Sequence, residues 1–245
     1  MIYFLTSSPC VDGSGLINPA NGMLDELKKA LKPDCRVLFI ASSPDDVERT
    51  EEHAFAMKDN FERSGFTFSE YILLDRRSEA QAKELLAKAD FVVLAGGHVP
   101  TQNDFFQDIN LRELMKDFHG VVMGISAGTM NSADVVYVHP EQEGETKFTD
   151  EERYRKGLNL TKTMVLPHYQ MIKNDVLDGL RLFEDVAYAD SMGKEFYCLV
   201  DGSYLYGKNG NEELRGEAYL IKDGELKQIS KEGDIIVMST GGYHE

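Results

Sequence analysis

The 245-residue chain carries 42 acidic against 26 basic residues, a formal net charge of −16, and is 42% hydrophobic. Its length and apolar content suit a single α/β domain over residues 1–245 with a sizeable core, while the acidity argues against nucleic-acid and anionic-membrane partners, which call for a basic surface. The opening MIYFLT has neither the basic n-region nor the apolar h-region of a secretory leader, and no apolar run approaches a membrane span. Cys10, Cys35 and Cys198 are odd in number and scattered, so they suggest neither a disulfide framework nor a zinc site. A reducing cytoplasm is the expected setting.

Residues 2–5 read as a first strand, 6–21 as a long loop rich in Ser, Gly and Pro, and 23–31 as a helix with Met23, Leu24, Leu27, Ala30 and Leu31 on one face. RVLFIA at 36–41 is a continuous apolar run, as expected of a strand buried on both faces of a parallel sheet. Ser42-Ser43-Pro44-Asp45 opens a helix expected to end near Ser64, with Gly65 as its stop. Then follow a strand at 66–74, a helix at 79–88, a buried strand FVVLA at 91–95 ending at Gly96-Gly97, a helix at 103–118 and a strand at 120–124. This alternation predicts a doubly wound, mostly parallel sheet with right-handed crossovers, whose ligands bind at the carboxyl ends of the strands.

After Ser126 the alternation lapses. Residues 134–138 form a short apolar segment, 141–155 an acidic stretch expected as a surface excursion, 164–166 a strand, and 175–183 a helix. Segments 198–200, 204–206, 217–221 and 235–238 are strand-like, with turns at Asp201-Gly202, Asn209-Gly210 and Asp223-Gly224. This tail reads as hairpins packed on the same sheet.

Gly124-Ile125-Ser126-Ala127-Gly128 follows the apolar strand, a Gly-x-Ser-x-Gly arrangement that delivers a serine onto a sharp strand-to-helix turn. The amide of Ala127 faces the same spot and can stabilise an oxyanion; Gly96-Gly97 can supply a second donor, since a backbone without Cβ approaches a substrate closely. A serine hydroxyl needs a base, and the base needs an orienting carboxylate. Among six histidines, His53 and His119 read as surface residues and His244 as terminal; His139 and His98 lie nearer the serine or the Gly-Gly loop. His168, following a strand and Pro167, is the expected base. Asp134, Glu141, Glu143 and Glu145 lie between Ser126 and His168, and spacing alone ranks none of them first.

Taken together, FVVLAGGHVPTQN (91–103), GVVMGISAGTM (120–130) and Leu166-Pro167-His168 resemble the peptidase E (aspartyl dipeptidase) family of serine peptidases, of which cyanophycinase is a more distant relative. Asp201-Gly202-Ser203-Tyr204 is similar to a segment near that family's active site. The resemblance implies a fold akin to class I glutamine amidotransferases and a cytoplasmic dipeptidase-like serine peptidase that needs neither metal nor cofactor. It implies Ser126 as nucleophile, His168 as base, Glu141 as the third member of the triad, and the Gly97 and Ala127 amides as oxyanion donors. A short peptide with an N-terminal aspartate would be its substrate, and a homodimer is compatible with it. The chain departs from the pattern in two places. No basic motif follows His168, where Lys173 and Arg181 are the nearest cations, and the Gly-Gly loop continues with His98-Val99-Pro100-Thr101 rather than Asn-Thr. The rival readings are an α/β-hydrolase esterase, which usually sets its histidine close to the C-terminus, and a non-catalytic binding protein on the same fold.

Overall fold

The computed structural model describes residues 1–238. Five parallel strands form the centre: β1 (Ile2–Thr6), β2 (Cys35–Ile40), β3 (Phe68–Leu74), β4 (Phe91–Leu94) and β5 (Val121–Ile125). They are joined through α1 (Met23–Ala30), α2 (Val47–Arg63), α3 (Ala82–Lys88), α4 (Val99–Asp108) and α5 (Leu111–Leu114). Successive side chains of a strand face opposite sides of a sheet. Accordingly Phe4, Val37, Phe39, Phe91, Val93 and Met123 pack on one face with Met23, Leu27, Met57 and Phe61 of α1 and α2. Leu38, Ile40, Val92, Leu94 and Val122 pack on the other with Leu86, Phe105 and Leu111 of α3 to α5. Both faces are covered, which is why these strands are apolar without alternation. The expected α/β fold class, a large mostly parallel sheet flanked by helices, is the one observed.

The elbow helix α6 (Ala127–Met130) leaves β5 directly. Then come the short antiparallel pair β6 (Val135–Tyr137) and β7 (Tyr154–Lys156), strand β8 (Met164–Leu166), and the two-residue pair β9 (Val176–Leu177) and β10 (Leu180–Arg181). The last strands are β11 (Glu195–Leu199), β12 (Tyr204–Lys208), β13 (Asn211–Arg215), β14 (Ala218–Lys222), β15 (Glu225–Ser230) and β16 (Ile235–Met238). The order in the large sheet is β16-β13-β12-β1-β5-β4-β2-β3, so β12 pairs antiparallel with β1 and extends the parallel centre.

Several expectations need correction. The tail does not stay on one sheet: β8, β11, β14 and β15 form a second, four-stranded sheet. Its Val165, Tyr197, Leu199 and Leu220 pack against Leu5, Leu205 and Leu214 of the first sheet, and its Leu166, Phe196, Cys198 and Ile221 cover Val99, Ala127 and Met130. Residues 175–183 are not a helix. Asp178 and Gly179 both take left-handed φ, 52° and 80°, the requirement of a tight hairpin turn, and the chain folds back as β9 and β10 before a π-helical stretch over Leu182–Ala187. The helix expected at 103–118 begins earlier, with Pro100 in the first turn of α4, and breaks where Asn110 is left-handed. The acidic segment 141–155 is more than a surface excursion, since Glu145 and Arg153 are buried within it. Among the described residues no helix is long and apolar enough to cross a membrane.

Candidate active site

The carboxyl ends of β5, β8 and β11 converge, and each delivers one polar side chain. Ser126, at the end of β5, has φ 49° and ψ −106°, a strained conformation for a residue with a Cβ. The turn is enforced by its neighbours. A Cβ on Gly128 would meet the carbonyl oxygen of Leu94 at 2.3 Å, and one on Gly124 would meet the Thr129 backbone at 2.9 Å. The Thr6 carbonyl at the end of β1 accepts hydrogen bonds from the Ser126 amide (3.1 Å) and the Thr129 hydroxyl (2.8 Å), which fastens the elbow to the adjacent strand.

His168 follows β8 with a left-handed φ of 59°. Its Nε2 stands 2.9 Å from Ser126 Oγ and its Nδ1 2.7 Å from Asp201 Oδ1. With the proton on Nδ1, the ring donates to Asp201 and its free Nε2 lone pair accepts from the Ser126 hydroxyl, the relation a nucleophile and its general base require. Asp201 lies where the chain leaves β11. Burial works against its charge, but hydrogen bonds from His168 and Ser7, the charge of His168 and a hydrogen bond from Gln170 together hold its carboxyl below the usual carboxylate range.

Two further residues fix this arrangement. The buried Ser7 hydroxyl accepts from the His168 amide (2.7 Å) and donates to Asp201 Oδ1 (2.6 Å). Gln170 donates from Nε2 to Asp201 Oδ2 (2.7 Å) and accepts from the Asp201 amide (3.2 Å). Both oxygens of the half-buried carboxylate thereby accept hydrogen bonds, two on Oδ1 and one on Oδ2, which help such a group to remain ionised.

Gly96 and Gly97 follow β4 beside the elbow; an ideal Cβ on Gly96 would touch Ile125 and Ser126 at 3.4 to 3.5 Å. Ser42, at the end of β2, donates to the Gly96 carbonyl (2.6 Å), and its hydroxyl fills the position a Cβ on Gly97 would take, at 2.4 Å. Neither the Gly97 nor the Ala127 amide is engaged in a hydrogen bond among the described residues. Two amides so disposed can receive an oxyanion.

The structure thus brings together Ser126, His168 and the two loops, but not Glu141. The carboxylate on His168 Nδ1 is Asp201, and no hydrogen bond or ion pair joins Glu141 to that ring. The physical reason is topological: the second sheet carries residue 201 to the rim beside His168, while residue 141 follows β6 and its amide is held by the Glu145 carboxylate. Glu141 is exposed as a residue, yet protein crowds its carboxyl and lifts it to about 6; His98 opposes that shift, Glu145 adds to it and His168 opposes it. Asp134 pairs with Arg112 and Lys162, and Glu143 is exposed. Glu145 is buried and meets His98, not His168.

His53 and His119 are exposed, as expected. His139 is buried with both ring nitrogens unpartnered, and its pKa falls to about 4, through burial first and the nearby Arg153 second. His244 lies outside the described residues. Arg181 is engaged with Asp185 through both Nε (3.0 Å) and Nη2 (2.6 Å), and the Lys173 ammonium stands over the Tyr169 ring. A cavity of about 830 Å³ lies at the opposite strand ends, lined by Tyr3, Thr163, Glu195, Lys208 and Met238, and Ser126 does not border it. Among the described residues no three of His, Cys, Asp and Glu converge to hold a metal ion.

Asp201, Ser7 and Gln170 are the site residues that sequence reading did not single out for these roles. Ser7 directly follows β1 and Asp201 comes two residues after β11, as His168 does after β8, so the strand-end rule that pointed to His168 applies equally to them; Gln170 carries no comparable signal.

Comparison with known proteins agrees with the fold. A peptidase from an acI-B1 actinobacterium superposes with a TM-score of 0.64 at 18% identity, covering 97% of this chain and 96% of that one. A Listeria monocytogenes EGD-e protein assigned provisionally as a peptidase E superposes with a TM-score of 0.59 at 18% identity, covering 94% and 98%. No match was found among curated proteins. The family model of peptidase family S51 matches residues 3–214. With that match over most of its length, the chain belongs to peptidase family S51.

Proposed function

We propose that this peptidase is of the serine type and cleaves short peptides through an acyl-enzyme. Ser126 attacks the scissile carbonyl carbon, and His168 Nε2 takes the hydroxyl proton. Asp201 holds the imidazole by its Nδ1–H and stabilises the imidazolium that forms. The amides of Gly97 and Ala127 receive the oxyanion. His168 then gives the proton to the leaving amine, and a water, deprotonated by the same nitrogen, hydrolyses the ester on Ser126. The observation that carries this reading is the continuous chain from Ser126 Oγ through His168 to Asp201, 2.9 and 2.7 Å long, with the serine on a strained elbow.

An N-terminal aspartate preference is the finer form of this reading. It would need a cation beside the site, and Arg181 and Lys173 are both occupied elsewhere, so the working substrate class is a short peptide without a fixed first residue. A cytoplasmic setting is supported by three free cysteines, two of them buried. The test is a panel of dipeptides and Asp-X chromogenic amides incubated with wild type and Ser126→Ala, together with labelling by a fluorophosphonate. Cleavage and labelling by wild type alone are expected; cleavage that survives in Ser126→Ala would contradict the mechanism.

A further inference from the structure

We propose that Glu145 is a positioning residue that holds the oxyanion loop in register through His98. The inference rests on the serine-peptidase reading above and extends it to a residue outside the Ser126–His168–Asp201 chain.

Gly96-Gly97 is a segment of high intrinsic freedom, and Gly97 at φ 153° has a backbone that side-chain-bearing residues rarely adopt. An oxyanion donor contributes only if it is fixed beforehand at the right place. One flank of the loop is fixed by Ser42 on the Gly96 carbonyl, and by Gln102 Nε2 on the Ala95 carbonyl at 2.7 Å. The other flank is the residue directly after Gly97, and that residue is His98. Its Nε2 lies 2.7 Å from Glu145 Oε1 and its Nδ1 2.7 Å from Thr101 Oγ1, so the ring cannot turn without losing a bond.

Glu145 is itself immobilised. It is 5% exposed. Its Oε2 accepts from the amides of Glu141 (2.7 Å) and Gln142 (3.1 Å), and its backbone carbonyl accepts from the buried Arg153 guanidinium (2.9 Å). Burial raises the cost of its charge, but the Glu141 amide, His98 and the Gln142 amide more than offset this and hold the carboxyl below its ordinary range. A carboxylate ionised and held by three hydrogen bonds is a rigid anchor, and the single side chain it anchors adjoins Gly97. A buried carboxylate meant only to tie down its own loop would be complete with the two amides; the third bond, to His98, joins that loop to the oxyanion loop.

The test compares wild type with Glu145→Gln and His98→Ala, using p-nitrophenyl acetate and the best-cleaved peptide of the panel, with the corresponding peptide aldehyde as an inhibitor that forms an oxyanion on Ser126. In Glu145→Gln we expect kcat to fall about tenfold, a fraction of the 10² to 10³ that follows complete loss of a donor, with KM within about twofold and aldehyde affinity falling in parallel with kcat. His98→Ala leaves the anchor in place and removes the link, so it should give the same pattern if Glu145→Gln does not fold. Glu145→Asp, one methylene shorter, should recover part of the loss. Unchanged kcat and aldehyde affinity in a folded variant that still labels with fluorophosphonate would overturn the inference and leave the serine mechanism standing, as would a change in KM alone. Failure of wild type itself to label on Ser126 would instead remove the reading on which the inference rests.

Discussion

Two histidine–carboxylate pairs stand on the same rim with the same 2.7 Å spacing, and only one has the surroundings of a catalytic pair. His168 joins Asp201 to Ser126; His98 joins Glu145 to Thr101, whose hydroxyl is as close to imidazole nitrogen as that of Ser126 is. The difference lies around the hydroxyl. Thr101 is in the first turn of α4, three residues from its histidine, with ordinary helical backbone. Ser126 is on a strained elbow, 42 residues from its histidine, beside two amides with no other use. A hydroxyl–imidazole–carboxylate line by itself orders a loop; it becomes chemistry where the backbone is shaped to present the oxygen and to receive the charge that develops.

That contrast can be broken most forcefully at the two hydroxyls. Ser126→Ala should lower kcat/KM by about 10⁴-fold or more, whereas Thr101→Ala should stay within about threefold, as for an exposed polar substitution; steady-state kinetics on the best peptide decides it. The next largest effect tests the receiving amides. Gly97→Ala sets a methyl 2.4 Å from the Ser42 hydroxyl, so the loop must shift, and a misplaced donor should cost about 10²-fold in kcat. A normal rate in that variant would detach Gly97 from the oxyanion.

Stability sharpens the comparison further, because a third histidine, the buried His139, has no hydrogen-bond partner on either ring nitrogen. His139 has a folded pKa of about 4, below the ordinary 6.5 of histidine, so the unfolded chain takes up the proton first. The associated stability is complete above about pH 6.5 and is lost as pH falls toward 4, by about 3.5 kcal/mol at most at about 1.4 kcal/mol per unit. His139→Phe, which keeps a ring against Tyr137 and Phe183, should flatten that slope in urea midpoints measured between pH 4 and 7.5. The smallest effect concerns Glu141. Its carboxyl is lifted to about 6, so its ionisation opposes folding above that pH and not below its ordinary range. Glu141→Gln should raise the melting temperature at pH 8 by no more than about 1–2 °C, since the residue is exposed, and leave it unchanged at pH 4.

The first half of the molecule was legible because its elements obey one rule each: apolar runs buried on both faces, helices with one apolar face, glycine loops at strand ends. Ser126 and the Gly96-Gly97 loop are products of that order, and the same strand-end logic places His168 on the rim beside Ser126. The second half was harder because short strands are shared between two sheets, and neither alternation nor turn residues say which sheet a hairpin joins. The carboxylate that meets His168 Nδ1 lies in that gap. Asp201-Gly202 reads as a turn, while chain order leaves four acids between Ser126 and His168 open and only the family resemblance points to Glu141. At 175–183, where a helix is expected, Asp178-Gly179 instead makes the tight turn between β9 and β10.

The central claim is that Asp201, and not Glu141, backs the catalytic histidine. It is tested most directly by kcat/KM of Asp201→Asn and Glu141→Gln side by side, on the same peptide and at the same pH. The account predicts a loss on the order of 10³- to 10⁴-fold for Asp201→Asn, since the amide no longer holds the imidazole in its working tautomer, with Glu141→Gln retaining most of the wild-type rate. Collapse of activity in Glu141→Gln with Asp201→Asn near wild type would contradict it.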